Sequence, residues 1–175
     1  MSVYSLQGEK PVISPGTFVH PHAVIIGDVT IGSGCFIAPG SVIRADFGPV
    51  VIGEGVNFQD NAVIHVNPGM SVVIEDNCTI GHGALLHDVH LEPGCVVGMG
   101  AVLLFGVHCE KECIVAAGSV VPTGMRVPAG AVVAGNPARI IKDSISREQV
   151  EHIREGAKLY QGLVRLYKET MQCLR

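Results

Sequence analysis

The chain has 175 residues, with twelve Lys and Arg against sixteen Asp and Glu, a net charge of −4. That length fits one domain with at most an appended element. The mild acidity lacks the basic footprint of a nucleic-acid-binding module. No apolar run reaches the roughly 18 residues that a membrane span needs, and Met1-Ser2-Val3-Tyr4 opens no basic-then-apolar leader, so a cytoplasmic protein is expected.

From Val19 onward, steps of six land on Ile25, Ile31, Ile37 and Ile43. Further registers run Ile52-Phe58-Ile64, Ile74-Ile80-Leu86, and Leu91 through Val97, Leu103, Cys109, Val115, Val121 and Val127 to Val133. All 19 positions are apolar, where composition alone predicts about half. Four residues beyond most of them stands a small residue, as at Cys35, Ser41, Ala62, Cys78, Ala84, Cys95 and Cys113. A period of six matches neither an α-helix nor long alternation. It fits a short strand plus a turn, with one bulky residue inward and one small residue at each corner. Three such units close a triangular coil of about 18 residues, and successive coils stack as parallel strands ~4.8 Å apart. An all-β solenoid is predicted over residues 1–140. Cysteines at the corners behave as small buried hydrophobes rather than as a disulfide framework.

The period slips three times, all between residues 43 and 91. Three extra residues fall around Asp46-Phe47-Gly48-Pro49, four around Asn67-Pro68-Gly69-Met70, and one residue is missing between Leu86 and Leu91. Insertions in a solenoid project from one edge, where function gathers.

After Gly135-Asn136-Pro137-Ala138 the composition changes. Residues 12–140 carry 14 charged groups and residues 141–175 carry 12, the density of a solvated helix. Val150, Ile153, Ala157, Tyr160, Val164, Tyr167, Met171 and Leu174 recur at helical spacing behind a Ser146/Gln149 capping box. One amphipathic helix in residues 141–175 must bury this stripe on the solenoid or on a neighbouring subunit.

Three of the eight histidines, His65, His82 and His87, lie inside the slipped region. His65 and His87 each follow an inward residue, and their separation of 22 is one coil of 18 plus the four-residue insertion. They stack on one face in adjacent coils, close enough to share an ion. His82 belongs to the preceding face and joins them only across a threefold subunit interface, giving three imidazoles and an open position, the ligand set of a catalytic zinc. Spacing alone leaves open a second reading, three unrelated surface histidines. His20, His22, His90, His108 and His152 are read as surface residues.

The segments Arg44-Ala45-Asp46, Asn57-Phe58-Gln59-Asp60-Asn61, Ile80-Gly81-His82-Gly83-Ala84 and Leu85-Leu86-His87-Asp88 resemble the γ-class carbonic anhydrase family. The similarity is greatest to its short bacterial branch of phenylacetate-degradation and carnitine-operon proteins. The resemblance covers roughly residues 10–170. It implies a left-handed parallel β-helix that assembles as a homotrimer. It implies His65, His82 and His87 as ligands of Zn2+ (or Fe2+ or Co2+), and reversible hydration of CO2 to bicarbonate by a zinc-held hydroxide. It assigns Gln59 to the reacting oxygen, Asn57 to support of the site, and Arg44, Asp46 and Asp60 to interface pairing and anion binding. It sets Tyr160 near the metal, although the position of Tyr160 on the apolar stripe predicts simple packing. A structural salt-bridge cluster is the other reading of Arg44, Asp46 and Asp60.

One departure affects rate. The archetypal family member carries proton-shuttling glutamates on projecting loops, whereas here Phe47 follows Asp46 and the Asn67–Met70 loop has no acid. Hexapeptide solenoids also include acyltransferases that bind acyl-CoA between subunits, and the phenylacetate branch raises CoA-thioester hydrolysis. A non-catalytic, metal-stabilised trimer is the third alternative.

Overall fold

The computed structural model describes residues 2–174. Inward residues one coil apart pair in parallel register and define three faces. Face one carries Val3, Ile25, Ile43, Ile64, Leu86, Leu103 and Val121 in successive rungs. Face two carries Ile13, Ile31, Ile52, Ile74, Leu91, Cys109 and Val127. Face three carries Val19, Ile37, Phe58, Ile80, Val97, Val115 and Val133. The chain is thus a β-solenoid of seven rungs per face, built on the six-residue period. Strands Val24–Ile31 and Val42–Ile52 run unbroken through the corner between faces one and two, and so join those faces into one sheet.

The core is a stack of aliphatic side chains, with Ile25, Ile43, Ile64, Ile74, Ile80 and Leu91 fully buried. Burying each such side chain contributes about 1.5–3 kcal/mol, which offsets the ordering of a chain made mostly of two-residue strands. Cys35, Cys78, Cys95 and Cys113 fill the corner between faces two and three, buried and without disulfides. Burial pushes the Cys35 thiol up, as expected of a packing residue.

The helix spans Arg147–Thr170, and Ser146 and Gln149 form the capping box. It packs on face three of its own chain. Tyr160, Leu163, Val164 and Tyr167 meet Phe18 and Phe36, whose stacked rings lie 5.2 Å apart. Its path runs back along the solenoid, from the Arg154–Glu112 ion pair to Lys168, whose ammonium donates to the Pro15 carbonyl in the first coils. Met171 and Leu174 continue the apolar period but lie beyond the helix end. By Lys168 the helix has reached the first coil, at the Pro15 and Thr17 carbonyls.

Between rungs, the residue after each inward position donates its N–H to the next coil, as Leu104 does to Val121 and Glu110 to Val127. In the last coil the equivalent residues on faces one and two are Pro122 and Pro128. On face three the antiparallel strand Ala138–Lys142 covers Val132–Gly135.

Candidate metal centre

The register slips put function at one edge of the solenoid. The loops around Phe47 and Asn67–Met70 are stacked, and the Met70 carbonyl packs where a side chain on Gly48 would stand. These loops border strands Val63–His65 and Leu85–His87, in which His65 pairs directly with His87.

The two imidazoles meet nitrogen to nitrogen, His65 Nδ1 to His87 Nε2, at 2.8 Å. On the outer side His65 Nε2 lies 2.9 Å from Asp46 Oδ1, and His87 Nδ1 lies 3.1 Å from Asp88 Oδ2, though not aligned for a hydrogen bond. Asp46 also pairs with Arg44 through its other oxygen. Desolvation opposes charge on Asp46, but hydrogen bonds from His65 and Arg44 prevail and hold its carboxyl below the usual carboxylate range. The ring of Phe47 lies edge-on to His65 at 5.8 Å, and that of Phe105 to His87 at 4.7 Å, so the pair sits between two phenyl groups.

His82 stands at the corner that leads from face three into face one. Its Nδ1 lies 2.7 Å from Asp60 Oδ2, and both side chains are substantially exposed. Gly81 makes this corner possible, because a Cβ there would lie 2.6 Å from the Met99 amide nitrogen of the next coil. The His82 backbone N–H donates to Gln59 Oε1 at 3.1 Å, which leaves the Gln59 amide nitrogen as its donor end.

The other expected residues separate. Asn57 is buried on face three, and neither its Nδ2 nor its Oδ1 has a partner. An unpaired buried polar group costs about 1–3 kcal/mol, and this amide lies between Phe36 and Thr79 on face three, away from the His65–His87 pair. Tyr160 contacts the Phe36 ring at 6.0 Å in the aromatic cluster under the helix, a packing position. His90 and His108 are more than surface residues. Their rings stack at 4.6 Å on face two, with His90 paired to Glu75 at 2.6 Å and His108 to Glu92 at 3.0 Å. The coil spacing that aligns His65 with His87 aligns these too.

Asp88 escaped the sequence reading as a residue with a role of its own. Its signal was the one shortened corner of the repeat.

Within one chain, no three His, Cys, Asp or Glu among the described residues converge as a metal shell. The donor chemistry nevertheless fits a metal. A carboxylate at one imidazole nitrogen holds the proton there and aims the other nitrogen's lone pair away. With the protons so held on both rings, two lone pairs would face each other across 2.8 Å, a contact relieved either by a cation between them or by a proton on one of the two facing nitrogens. Tetrahedral zinc ligands lie about 3.4 Å apart, so the rings need part by only about 0.6 Å (3.4 − 2.8).

Fold and site together define a hexapeptide-repeat protein with a histidine-rich edge. The family model "Bacterial transferase hexapeptide (six repeats)" matches residues 10–45 and 71–104, and "Hexapeptide repeat of succinyl-transferase" matches 49–84 and 94–122. The carnitine operon protein CaiE of Proteus sp. (strain LE138) is 38% identical over 93% of this chain and 82% of its own length. Gamma carbonic anhydrase 2, mitochondrial, of Arabidopsis thaliana is 39% identical over 91% of this chain, which spans 59% of that protein. A hexapeptide transferase family protein from Anaplasma phagocytophilum superposes with a TM-score of 0.91 at 34% identity, covering 95% of this chain and 98% of that one. The chain belongs to the hexapeptide-repeat family that includes CaiE and the γ-class carbonic anhydrases. Among the described residues no helix is long and apolar enough to cross a membrane.

Proposed function

We propose that the chain is a cytoplasmic, metal-dependent enzyme of the γ-class carbonic anhydrase type. It works as a homotrimer whose three centres each join His65 and His87 of one subunit with His82 of the partner subunit. The observation that carries this reading is the carboxylate beside each imidazole: Asp46 at His65, Asp60 at His82 and Asp88 at His87. The nitrogens left to ligate are His65 Nδ1, His82 Nε2 and His87 Nε2.

A divalent ion in that shell, Zn2+ by its imidazole set with Fe2+ or Co2+ as alternatives, supplies Lewis acidity that makes water nucleophilic near neutral pH. The chain's own residues do the rest. Gln59, its oxygen engaged by His82, offers its amide N–H groups to orient the reacting oxygen. Arg44 holds Asp46 in place and gives the rim a cation for bicarbonate. Asn57 and Tyr160 act at a distance, Asn57 buried on face three and Tyr160 in the aromatic cluster that seats the helix. Phe47 and Phe105 flank the His65 and His87 rings edge-on. Phe47 also stands where an acid would accept the proton, so proton export limits turnover.

A specific observation favours a second reading, hydrolysis or transfer of a CoA-linked acyl group. An open, apolar depression of about 270 Å3 adjoins the histidine pair, lined by Val63, Leu85, Val102, Leu104 and Phe105, an apolar surface of the kind an acyl chain covers. Metal analysis of the purified protein, with CO2-hydration and CoA-thioester assays side by side, decides between them. Stoichiometric metal with CO2 hydration supports the first, metal-dependent thioester cleavage alone supports the second, and bound metal with neither activity leaves a metal-stabilised trimer.

A further inference from the structure

We infer that Asp88 is a positioning residue. Its buried carboxylate fixes the tautomer of His87 and ties that ring to the Asn67–Met70 loop. The inference rests on reading His87 as a metal ligand.

It begins with the missing residue. Where other corners have room for a full turn, the step from Leu86 to Leu91 is closed by Asp88 and Val89, both buried. Asp88 takes the left-handed conformation at φ +54°, which Asp and Asn tolerate better than most residues. The tight corner turns the carboxylate inward, and its side chain is only 1% exposed.

A carboxylate so buried needs donors. Asn67 supplies two: its backbone N–H reaches Oδ1 at 2.6 Å and its side-chain amide reaches Oδ2 at 2.8 Å. The third neighbour is His87 Nδ1, 3.1 Å from Oδ2, itself buried and with no hydrogen-bond partner. Phe105, edge-on to the imidazole, limits the ring's other motions. Rotation of the ring toward Oδ2 would align Nδ1–H with the carboxylate, which accepts and cannot donate.

The consequence falls on the opposite nitrogen. With the proton held at Nδ1, Nε2 presents a lone pair toward His65. Without Asp88 the proton is free to move to Nε2, donate to His65 Nδ1 across the 2.8 Å gap and close the place a metal would take. The insertion and the deletion in the repeat therefore act together. The longer loop brings Asn67 to the carboxylate, and the shorter corner brings the carboxylate to the ring.

The test uses Asp88→Asn, which the left-handed backbone tolerates, and the control Asn67→Ala. In metal-free wild-type protein, 15N NMR of the histidine rings should find His87 protonated at Nδ1. In Asp88→Asn the amide can donate to Nδ1, so the proton should move to Nε2. Zinc affinity, read by chelator competition, should fall by on the order of 10–100-fold in Asp88→Asn, and by much less in Asn67→Ala, which keeps the carboxylate. A wild-type His87 protonated at Nε2 overturns the inference even if no variant folds. Unchanged tautomer and affinity in Asp88→Asn overturn it as well. His87→Ala tests the underlying reading separately: full metal retention there removes His87 from the ligands, while the metal-free tautomer still reports on Asp88.

Discussion

His65 and His87, 22 residues apart in sequence, face each other nitrogen to nitrogen at 2.8 Å, with Asp46 and Asp88 on their outer sides. Replacing His65, His82 or His87 with Ala should therefore each abolish most metal binding, a larger loss than the ~10–100-fold expected for an outer carboxylate. His90→Ala and His108→Ala should keep wild-type metal content, because those rings face Glu75 and Glu92 on another side of the prism. Metal analysis after gel filtration reads the result.

A centre shared between subunits makes a numerical prediction. On the proposed centre, neither His82→Ala nor His65→Ala alone should form a complete site. A random equimolar mixture of the two chains in trimers should restore about a quarter of the sites, since only one of four neighbour pairings combines intact His65 and His87 with an intact His82. Recovery of no metal on co-folding, or a monomeric mass by light scattering with metal bound, contradicts the shared site.

Proton export should be visible in the kinetics. With Phe47 beside His65 in place of an acid, CO2 hydration should rise with the concentration of small imidazole-type buffers at fixed pH and ionic strength. Phe47→Glu should raise the rate at low buffer, within the ~10²–10⁴-fold that a general acid–base group contributes. Insensitivity to both changes means that another step is limiting.

The ladder on face two yields a pH prediction. The hydrogen bond from His108 holds the Glu92 carboxyl below its ordinary range. A depressed folded-state pKa contributes stability above the unfolded value and loses it as pH falls through the folded one. The difference in melting temperature between wild type and Glu92→Gln should persist near neutrality and shrink in the acid range. For a pair this exposed the difference should be small. A difference that stays undiminished at a pH where carboxylates are protonated contradicts the pairing.

Much of this architecture was legible because a six-residue period fixes both depth and face. Ile64 and Leu86 had to point inward on adjacent rungs, so His65 and His87 had to align. Less legible was what depends on turn conformation. The inward swing of Asp88 needs a left-handed corner, and the two donors of Asn67 need the insertion to fold back over it. A periodic pattern reports that a corner is short, not where its carboxylate points. The helix was legible as a stripe, whereas its stop at Thr170, short of Met171 and Leu174, was not.

Pro122 and Pro128 occupy the last coil at the positions whose N–H groups, in earlier coils, reach for the coil that follows. Lacking that hydrogen, they leave faces one and two without those donors for an eighth rung, while Ala138–Lys142 seals face three from the opposite direction. A stack of parallel strands is otherwise a template onto which another molecule could add end to end. The last coil thus offers an added strand fewer hydrogen bonds than the coils before it, which disfavours lengthwise growth into fibres.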